Sequence, residues 1–274
     1  MNMYECTVIN VLLLKECRCL VMAVFEQHSH VSVWWFPREF CQSRFGEYRE
    51  SGTNSCTLIS LILADKIAKE QIFSQKAKTL PQRAVEVFGD AMNEGNTVYS
   101  RVFESKDDNG RRRRAPNLNI PEAIAALANS DFIEFQLQEW FYTHLTASPT
   151  KETYHRSVAS RIAQVLKLGV QLFRQPSSNT RAKNLFAALI ADSRTTIFIF
   201  EFPINIISFF DSHQHGRQSG AVVAQCSIDH LEDLCSWFVR MLDDVYKSRP
   251  SVYEISFLTT SADAPNVIPA DQIH

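Results

Sequence analysis

The sequence lacks several patterns that would place it in a broad class of protein. Its 28 basic and 30 acidic residues give a formal net charge of −2, so no overall basic field attracts nucleic acid. Its seven cysteines are scattered, and no Cys-x-x-Cys spacing occurs. The absence of that spacing argues against a zinc knuckle, and the scattered, odd number of cysteines argues against a disulfide framework and favours a reducing compartment. We also find no internal repeat.

Long apolar runs are missing as well. The segment Val8–Leu14 is apolar, but it is too short for a membrane span and is followed by charged residues. It has no basic region before it and no small-residue cleavage site after it, so we predict no signal peptide. We therefore expect a soluble cytoplasmic or nuclear protein with no membrane partner.

The length and composition are those of an ordinary globular protein. The chain has 274 residues, of which 45% are hydrophobic and 21% are charged. This length allows a sizeable buried core. We expect a single domain over residues 1–260, with an exposed loop at 104–120 and a flexible tail at 261–274.

The first 70 residues change from a strand pattern to a helix pattern. Tyr4–Leu14, Cys19–Phe25 and Val31–Phe36 are rich in β-branched and apolar residues, which predicts three strands. The turn-forming residues 52–54 follow, with Thr53 or Asn54 as a helix N-cap. Cys56–Lys69 is then predicted to be a buried helix that begins at Cys56.

The middle of the chain is predicted to be mostly helical. The predicted helices are Gln71–Glu94 with a restart at Leu80-Pro81, Pro121–Ala128, Phe132–Leu145, Tyr154–Phe173 and Thr180–Ala191. The polar segment Lys106–Asn119 contains four consecutive arginines. No aromatic residues alternate with these arginines, so we expect a solvated loop, with docking of a protein partner as the next interpretation and nucleic acid disfavoured.

A second strand-rich region follows. Thr195–Phe202, Ile204–Phe210, Ala221–Cys226 and Val252–Leu258 are predicted strands, and Ile228–Tyr246 is an amphipathic helix. The order is strands, a helix that begins at a cysteine, a helical middle and a final sheet. This order predicts an α+β fold in which helices pack against a mainly antiparallel sheet.

Cys56 is the candidate nucleophile. Among the seven cysteines it alone follows a polar turn and begins an apolar helix. The N–H groups of a helix N-terminus stabilise a thiolate. A buried, inert cysteine is the competing interpretation, because free cysteines are often buried.

Asp211 and His213 are the candidate partners of the thiol. On a strand, residues two apart point to the same side, so the carboxylate could orient the imidazole. A plain polar turn is the alternative, and His215 is a rival base. A metal site built from His213, His215, Cys226 and His230 has no standard ligand spacing, so we predict no metal and no cofactor.

Gln42 lies 14 residues before Cys56 and could donate its amide to an oxyanion. A solvent-exposed glutamine is the competing interpretation. The stretch from Gln42 to Tyr48, then Gly52 and Cys56, and then Asp211-Ser212-His213 resembles the ubiquitin-specific cysteine peptidases at the N-terminus of herpesvirus large tegument proteins. Asn54, Ser55 and His215 depart from the pattern of that family.

The resemblance implies a papain-like fold and a deubiquitinase or ubiquitin-like-specific peptidase. It implies Cys56 as the nucleophile, His213 as the base, Asp211 as the residue that orients it and Gln42 as the oxyanion donor. Ubiquitin or a ubiquitin-like protein would be the substrate. The alternative is a papain-like fold without activity that serves as a protein interaction module.

Overall fold

The computed structural model describes residues 7–13, 20–46, 54–70, 72, 80–103, 105–106, 112–113, 117–127, 132–143, 150–174 and 183–260. The helices are α1 (Cys56–Glu70), α2 (Gln82–Phe103), α3 (Ile120–Ala126), α4 (Lys151–Phe173) and α5 (Leu231–Tyr246). The strands are β1 (Thr7–Leu13), β2 (Leu20–His28), β3 (Val31–Pro37), β4 (Ser105–Lys106), β5 (Arg112–Arg113), β6 (Phe132–Tyr142), β7 (Asn184–Ala191), β8 (Arg194–Glu201), β9 (Ile206–Asp211), β10 (Ser219–Ser227) and β11 (Val252–Thr260).

Nine of these strands form one sheet in the order β1-β2-β3-β10-β9-β8-β7-β11-β6. Every neighbouring pair in the sheet is antiparallel. The two short strands β4 and β5 pair separately. The predicted α+β class and the antiparallel character of the sheet are therefore confirmed.

The central strands are buried on both faces. In β8, Ile197 and Ile199 belong to a hydrophobic cluster with α1, α2 and α3, whereas Phe198 and Phe200 belong to a second cluster with α4 and α5. Successive side chains of a strand point to opposite faces, so each layer of helices packs on its own set of residues. Burial on both faces explains why these strands have nearly continuous apolar sequences.

Two predicted helices are strands in the structure. The segment predicted as a helix at Phe132–Leu145 contains β6, and the one at Thr180–Ala191 contains β7. The sequence of β6 alternates between apolar and polar residues from Ile133 to Gln138, which is the period of a strand. The sequence of β7 is rich in Ala and Leu, but it lies between β8 and β11, where burial on both faces outweighs helix propensity.

Most of the remaining predicted elements are found close to their expected positions, but residues 71 and 73–79 of the helix predicted at Gln71–Glu94 lie outside the described residues. The helix that begins at Cys56 is confirmed, and the helix after Pro81 extends to Phe103. Within the loop predicted at 104–120, the structure describes β4, β5 and residues 117–120, and Asn119 caps α3 through its side chain. The tail at 261–274 lies outside the described residues, and the domain boundaries remain a prediction.

No helix among the described residues combines the length and the apolar composition that crossing a membrane requires.

Helix α4 packs very closely against β11 at one glycine. A Cβ atom added to Gly169 would lie 2.2 Å from the ring of Phe257, a side chain that is itself fully buried. Glycine within a helix normally costs stability relative to alanine. At this position the missing side chain allows the helix and the sheet to touch.

Gly169→Ala is therefore expected to lower the free energy of unfolding by about 1–3 kcal/mol, because the added methyl group overpacks the core. Chemical denaturation measures this change. In a Phe257→Leu background the same substitution should cost less, since the smaller side chain leaves room for the methyl group. A stabilising Gly169→Ala, as expected at an exposed helical site, would contradict this account.

Candidate active site

The thiol of Cys56 lies at the first residue of α1, where it is buried. The hydroxyl of the next residue, Thr57, hydrogen-bonds Thr195 on β8 at 2.8 Å and donates to the carbonyl of Leu118 at 3.0 Å. These bonds fix the start of α1 against the sheet. The Cys56 thiol lies close enough to Thr195 and His213 for both residues to lower its pKa.

The carboxylate of Asp211 and the imidazole of His213 meet at the end of β9. His213 Nδ1 lies 2.6 Å from Asp211 Oδ1, and the backbone N–H of His213 donates to the same oxygen at 2.9 Å. Asp211 is the last residue of β9, so the two residues do not share a strand as the sequence argument assumed. Instead, the Asp211 side chain closes a short turn by accepting from the His213 backbone N–H. This turn brings the His213 imidazole next to the Asp211 carboxylate.

The three groups form a continuous chain from thiol to imidazole to carboxylate. Burial raises the pKa of the Cys56 thiol, but the hydrogen bond and the charge of His213 outweigh it, so the pKa is lowered overall. Burial opposes the charge on His213, yet the Asp211 carboxylate raises the pKa of this imidazole to about 10. Both shifts favour a thiolate–imidazolium pair, in which the two groups titrate together.

His215, the rival base, lies on the other side of Asp211. Its Nε2 atom is 3.1 Å from Asp211 Oδ2, and its Nδ1 atom is 2.7 Å from the carbonyl oxygen of Gly220. Its ring packs against Trp35 and Tyr246. His215 therefore contacts the second carboxylate oxygen of Asp211, whereas His213 is the imidazole on the side of the thiol.

Both hydrogen-bond partners of His215 are acceptors. One is the backbone carbonyl of Gly220 and the other is the carboxylate of Asp211, so each ring nitrogen of His215 faces an acceptor. Burial alone would raise the pKa of Asp211, but the charges of His213 and His215 hold it far below its usual range.

Gly220 allows the start of β10 to approach the segment after β3 very closely. A Cβ atom at this position would lie 2.2 Å from the carbonyl oxygen of Pro37 and 2.3 Å from that of Phe40. The close approach lets the N–H of Ala221 donate to Phe40 O at 2.6 Å. The segment that follows β3 is thereby joined to the start of β10, next to the candidate site.

Gln42 begins a short 3₁₀ turn, and two bonds fix it to the residue between Asp211 and His213. Its backbone N–H donates to the carbonyl oxygen of Ser212 at 2.8 Å. The Ser212 hydroxyl donates to Gln42 Oε1 at 2.7 Å. Because the carbonyl end of the amide faces Ser212, the NH₂ end must point away from it. The sequence argument gave Ser212 no role of its own.

Asn96 on α2 is a further polar residue that the sequence argument missed. Its Nδ2 atom donates to the carbonyl oxygens of Gln42 at 2.7 Å and Phe45 at 3.0 Å. Its Oδ1 atom accepts from the hydroxyl of Ser55, the residue before Cys56, at 2.6 Å. Asn96 thus links the Gln42 turn to the start of α1. The sequence contained one signal for Asn96: it is a polar residue at helical spacing from Met92 and Tyr99, which are buried residues of α2.

The four residues considered for a metal site are used differently in the structure. His213 and His215 bind Asp211, while the Cys226 thiol donates to the backbone carbonyl of His230 at 3.5 Å. Within the described ranges, one group of potential ligands lies within 4.8 Å of one another, and it consists of His30, His230 and Asp233. It shares only His230 with the predicted set.

Alkylation by iodoacetamide should reveal the lowered pKa of Cys56. Because the thiolate is the reactive form, its rate should reach a plateau at a lower pH than for an ordinary cysteine, whose pKa is about 8.5. Site-resolved mass spectrometry measures the rate for the peptide that contains Cys56.

In His213→Ala the plateau should move to a higher pH, since burial then acts on the thiol without the imidazole. Cys235 is the internal control, because burial raises its pKa well above the ordinary value and it should stay unlabelled. An unchanged Cys56 profile in the variant would contradict the ion-pair assignment.

No family model and no curated protein matches this chain. Among solved structures, the chain is similar to the crystal structure of the Pseudomonas avirulence protein AvrPphB. The TM-score is 0.42 and the sequence identity is 10%, over 76% of this chain and 92% of that one.

Proposed function

We propose that this protein is a cysteine-type hydrolase with a papain-like fold. The observation that carries the proposal is the contact chain from the Cys56 thiol through the His213 imidazole to the Asp211 carboxylate. The nucleophile and its two partners come from segments separated by 155 residues. A nucleophile, a base and a group that orients the base are the requirements of thiol catalysis.

Cys56 attacks the substrate carbonyl as a thiolate and forms a carbon–sulfur bond, while the carbonyl electrons move to oxygen. His213 holds the thiol proton on Nε2, because Nδ1 faces Asp211, and gives this proton to the leaving amine. A thioester remains. Water then attacks the thioester, the carbon–sulfur bond breaks, and the proton that water loses restores the ion pair.

The developing oxyanion needs hydrogen-bond donors. We assign this role to the side-chain amide of Gln42 together with the backbone N–H of Cys56. The bond from Ser212 to Gln42 Oε1 supports the assignment, since it directs the amide NH₂ away from Ser212. Asn96 then acts as a positioning residue, because it ties the Gln42 turn to Ser55.

For the substrate we propose the carbonyl that follows the C-terminus of ubiquitin or of a ubiquitin-like protein. The motif resemblance of Gln42, Cys56 and Asp211-Ser212-His213 is the basis of this choice. The thiol must be free for catalysis, and the four described cysteines Cys41, Cys56, Cys226 and Cys235 are free. Free cysteines support a reducing compartment, which is the cytoplasm or the nucleus.

We also propose that the loop at 104–120 docks a protein partner.

Covalent labelling by a ubiquitin probe with a C-terminal electrophile tests the proposed function. We expect the wild-type protein to be labelled by at least one probe in a panel of ubiquitin and ubiquitin-like proteins. Labelling should be lost in Cys56→Ala and retained in Cys226→Ala, which removes a thiol outside the site.

His213→Ala should lower the labelling rate by roughly 10²–10⁴-fold, because the thiol loses its base. A folded wild-type protein that reacts with no probe in the panel would contradict the proposed activity. It would then favour the alternative function, an interaction module that retains the fold.

If Gln42 binds the oxyanion, its loss should slow the turnover of a fluorogenic substrate. Gln42→Ala should lower kcat by roughly 10²–10³-fold, the loss typical of one oxyanion donor. Ser212→Ala should cause a smaller loss, since the amide stays in place but is no longer oriented.

Ser43→Ala is the matched control, because the Ser43 hydroxyl lies 3.3 Å from the Cys41 thiol and does not contact Gln42 in the part of the chain that the structure describes. Equal losses for Ser43→Ala and Ser212→Ala would contradict the orienting role of Ser212.

A further inference from the structure

Two histidines and one aspartate meet far from Cys56. His30 lies in the turn between β2 and β3, His230 lies just before α5, and Asp233 lies in the first turn of α5. The register places this group near Ser227, at the opposite end of β10 from Ser219. The strand has nine residues including both ends and spans about 25 Å at the usual rise of a strand.

The three potential ligand atoms converge. Asp233 Oδ2 is 2.6 Å from His30 Nδ1 and 3.7 Å from His230 Nδ1. The two imidazole rings are stacked, with centroids 3.6 Å apart and an interplanar angle of 10°. All three ligand atoms lie within 4.8 Å of one another.

These separations are close to those of a coordination sphere. Tetrahedral ligands at roughly 2.0–2.1 Å from a zinc ion lie about 3.3 Å from each other. The two measured distances to Asp233 Oδ2 fall on either side of that value. A metal ion lies in the plane of each imidazole that binds it, so one of the two stacked rings must turn out of the stack to bring all three atoms to bonding distance from one ion.

Hydrogen bonds hold the backbone on both sides of the group. Ser29, before His30, has a left-handed backbone with φ of 53°, and its carbonyl oxygen accepts from Gln27 Nε2 at 2.9 Å. The turn that carries His230 is fixed by Asn205, whose Nδ2 atom donates to Asp229 Oδ2 at 2.7 Å and to Ser227 Oγ at 3.0 Å. The ligands are thus supported from two elements that are distant in sequence.

We propose that His30, His230 and Asp233 form a binding site for a divalent transition metal such as Zn²⁺. Two imidazoles and one carboxylate favour zinc, cobalt or nickel over magnesium and calcium, which prefer all-oxygen ligands. The side chains of His30, His230 and Asp233 are 56%, 41% and 40% exposed, so water completes the coordination. A bound ion cross-links the turn between β2 and β3 to the start of α5.

The test is a titration of Zn²⁺ and Co²⁺ into the full chain that carries Cys56→Ala, which removes the candidate nucleophile as a competing ligand. We expect one Zn²⁺ per chain at this site by calorimetry, visible absorption from bound Co²⁺, and a higher thermal unfolding midpoint with Zn²⁺. Mg²⁺ should not compete. Lower pH should weaken binding, because imidazole must be neutral to bind a metal.

His30→Ala and His230→Ala should each weaken Zn²⁺ binding by at least roughly tenfold, and Asp233→Ala should weaken it slightly less. His28→Ala is the matched control: His28 is a neighbouring histidine that pairs with Glu26, and its loss should leave Zn²⁺ affinity unchanged. Unfolding curves without metal check that each variant is folded.

Two outcomes would overturn the proposal. One is a parent protein that binds no Zn²⁺ or Co²⁺. The other is binding that persists unchanged in both His30→Ala and His230→Ala, which would place the ion elsewhere, such as on the other cysteines. Neither outcome affects labelling by ubiquitin probes, so this site and the proposed hydrolase function are tested independently.

Discussion

The Asp211 carboxylate is almost inaccessible to water and accepts hydrogen bonds from two imidazoles and one backbone N–H. A buried charge without partners would be very costly, so the surrounding residues must supply them. His213 supplies one on the side of the thiol, and His215 supplies another on the opposite side. The orientation of the His213 imidazole toward Cys56 depends on this balanced arrangement.

Charge balance gives a physical reason for the second histidine. A thiolate at Cys56, an imidazolium at His213 and a carboxylate at Asp211 together carry one net negative charge. The charge of His215 acts on Asp211 from the side opposite His213 and opposes this negative charge. The residue that appeared from sequence as a rival base thus acts on the carboxylate, and through it on the base.

The sheet places these groups by being buried on both faces. Helix α1 packs on one face of the sheet, so Cys56 approaches the end of β9 from that face. The hydrogen bond between Thr57 and Thr195 fixes the start of α1 against β8. Polar bonds then connect the neighbouring segments: Ser212 binds Gln42, and Asn96 binds both the Gln42 turn and Ser55. The two candidate sites lie at opposite ends of β10, so each can be altered without the other.

Much of the fold was predictable where the local pattern has one interpretation. The helix that begins at Cys56, the amphipathic helix before Tyr246 and the strands around Phe198 and Phe209 were all expected. The prediction failed for β7, because a short apolar run rich in Ala and Leu suits either a buried helix or a buried strand. Only its pairing with β8 and β11 decides between them.

For the candidate site, residue type and order along the chain determined which groups could react: a thiol at a helix start, an acid and an imidazole two residues apart, and an upstream amide. The tertiary structure decided which imidazole contacts the thiol, which polar residues hold the amide, and that His30 meets Asp233 across 203 positions. The reason is that hydrogen bonds are directional and short, whereas sequence spacing constrains direction only within one helix or strand. Contacts between elements depend on how the whole sheet packs.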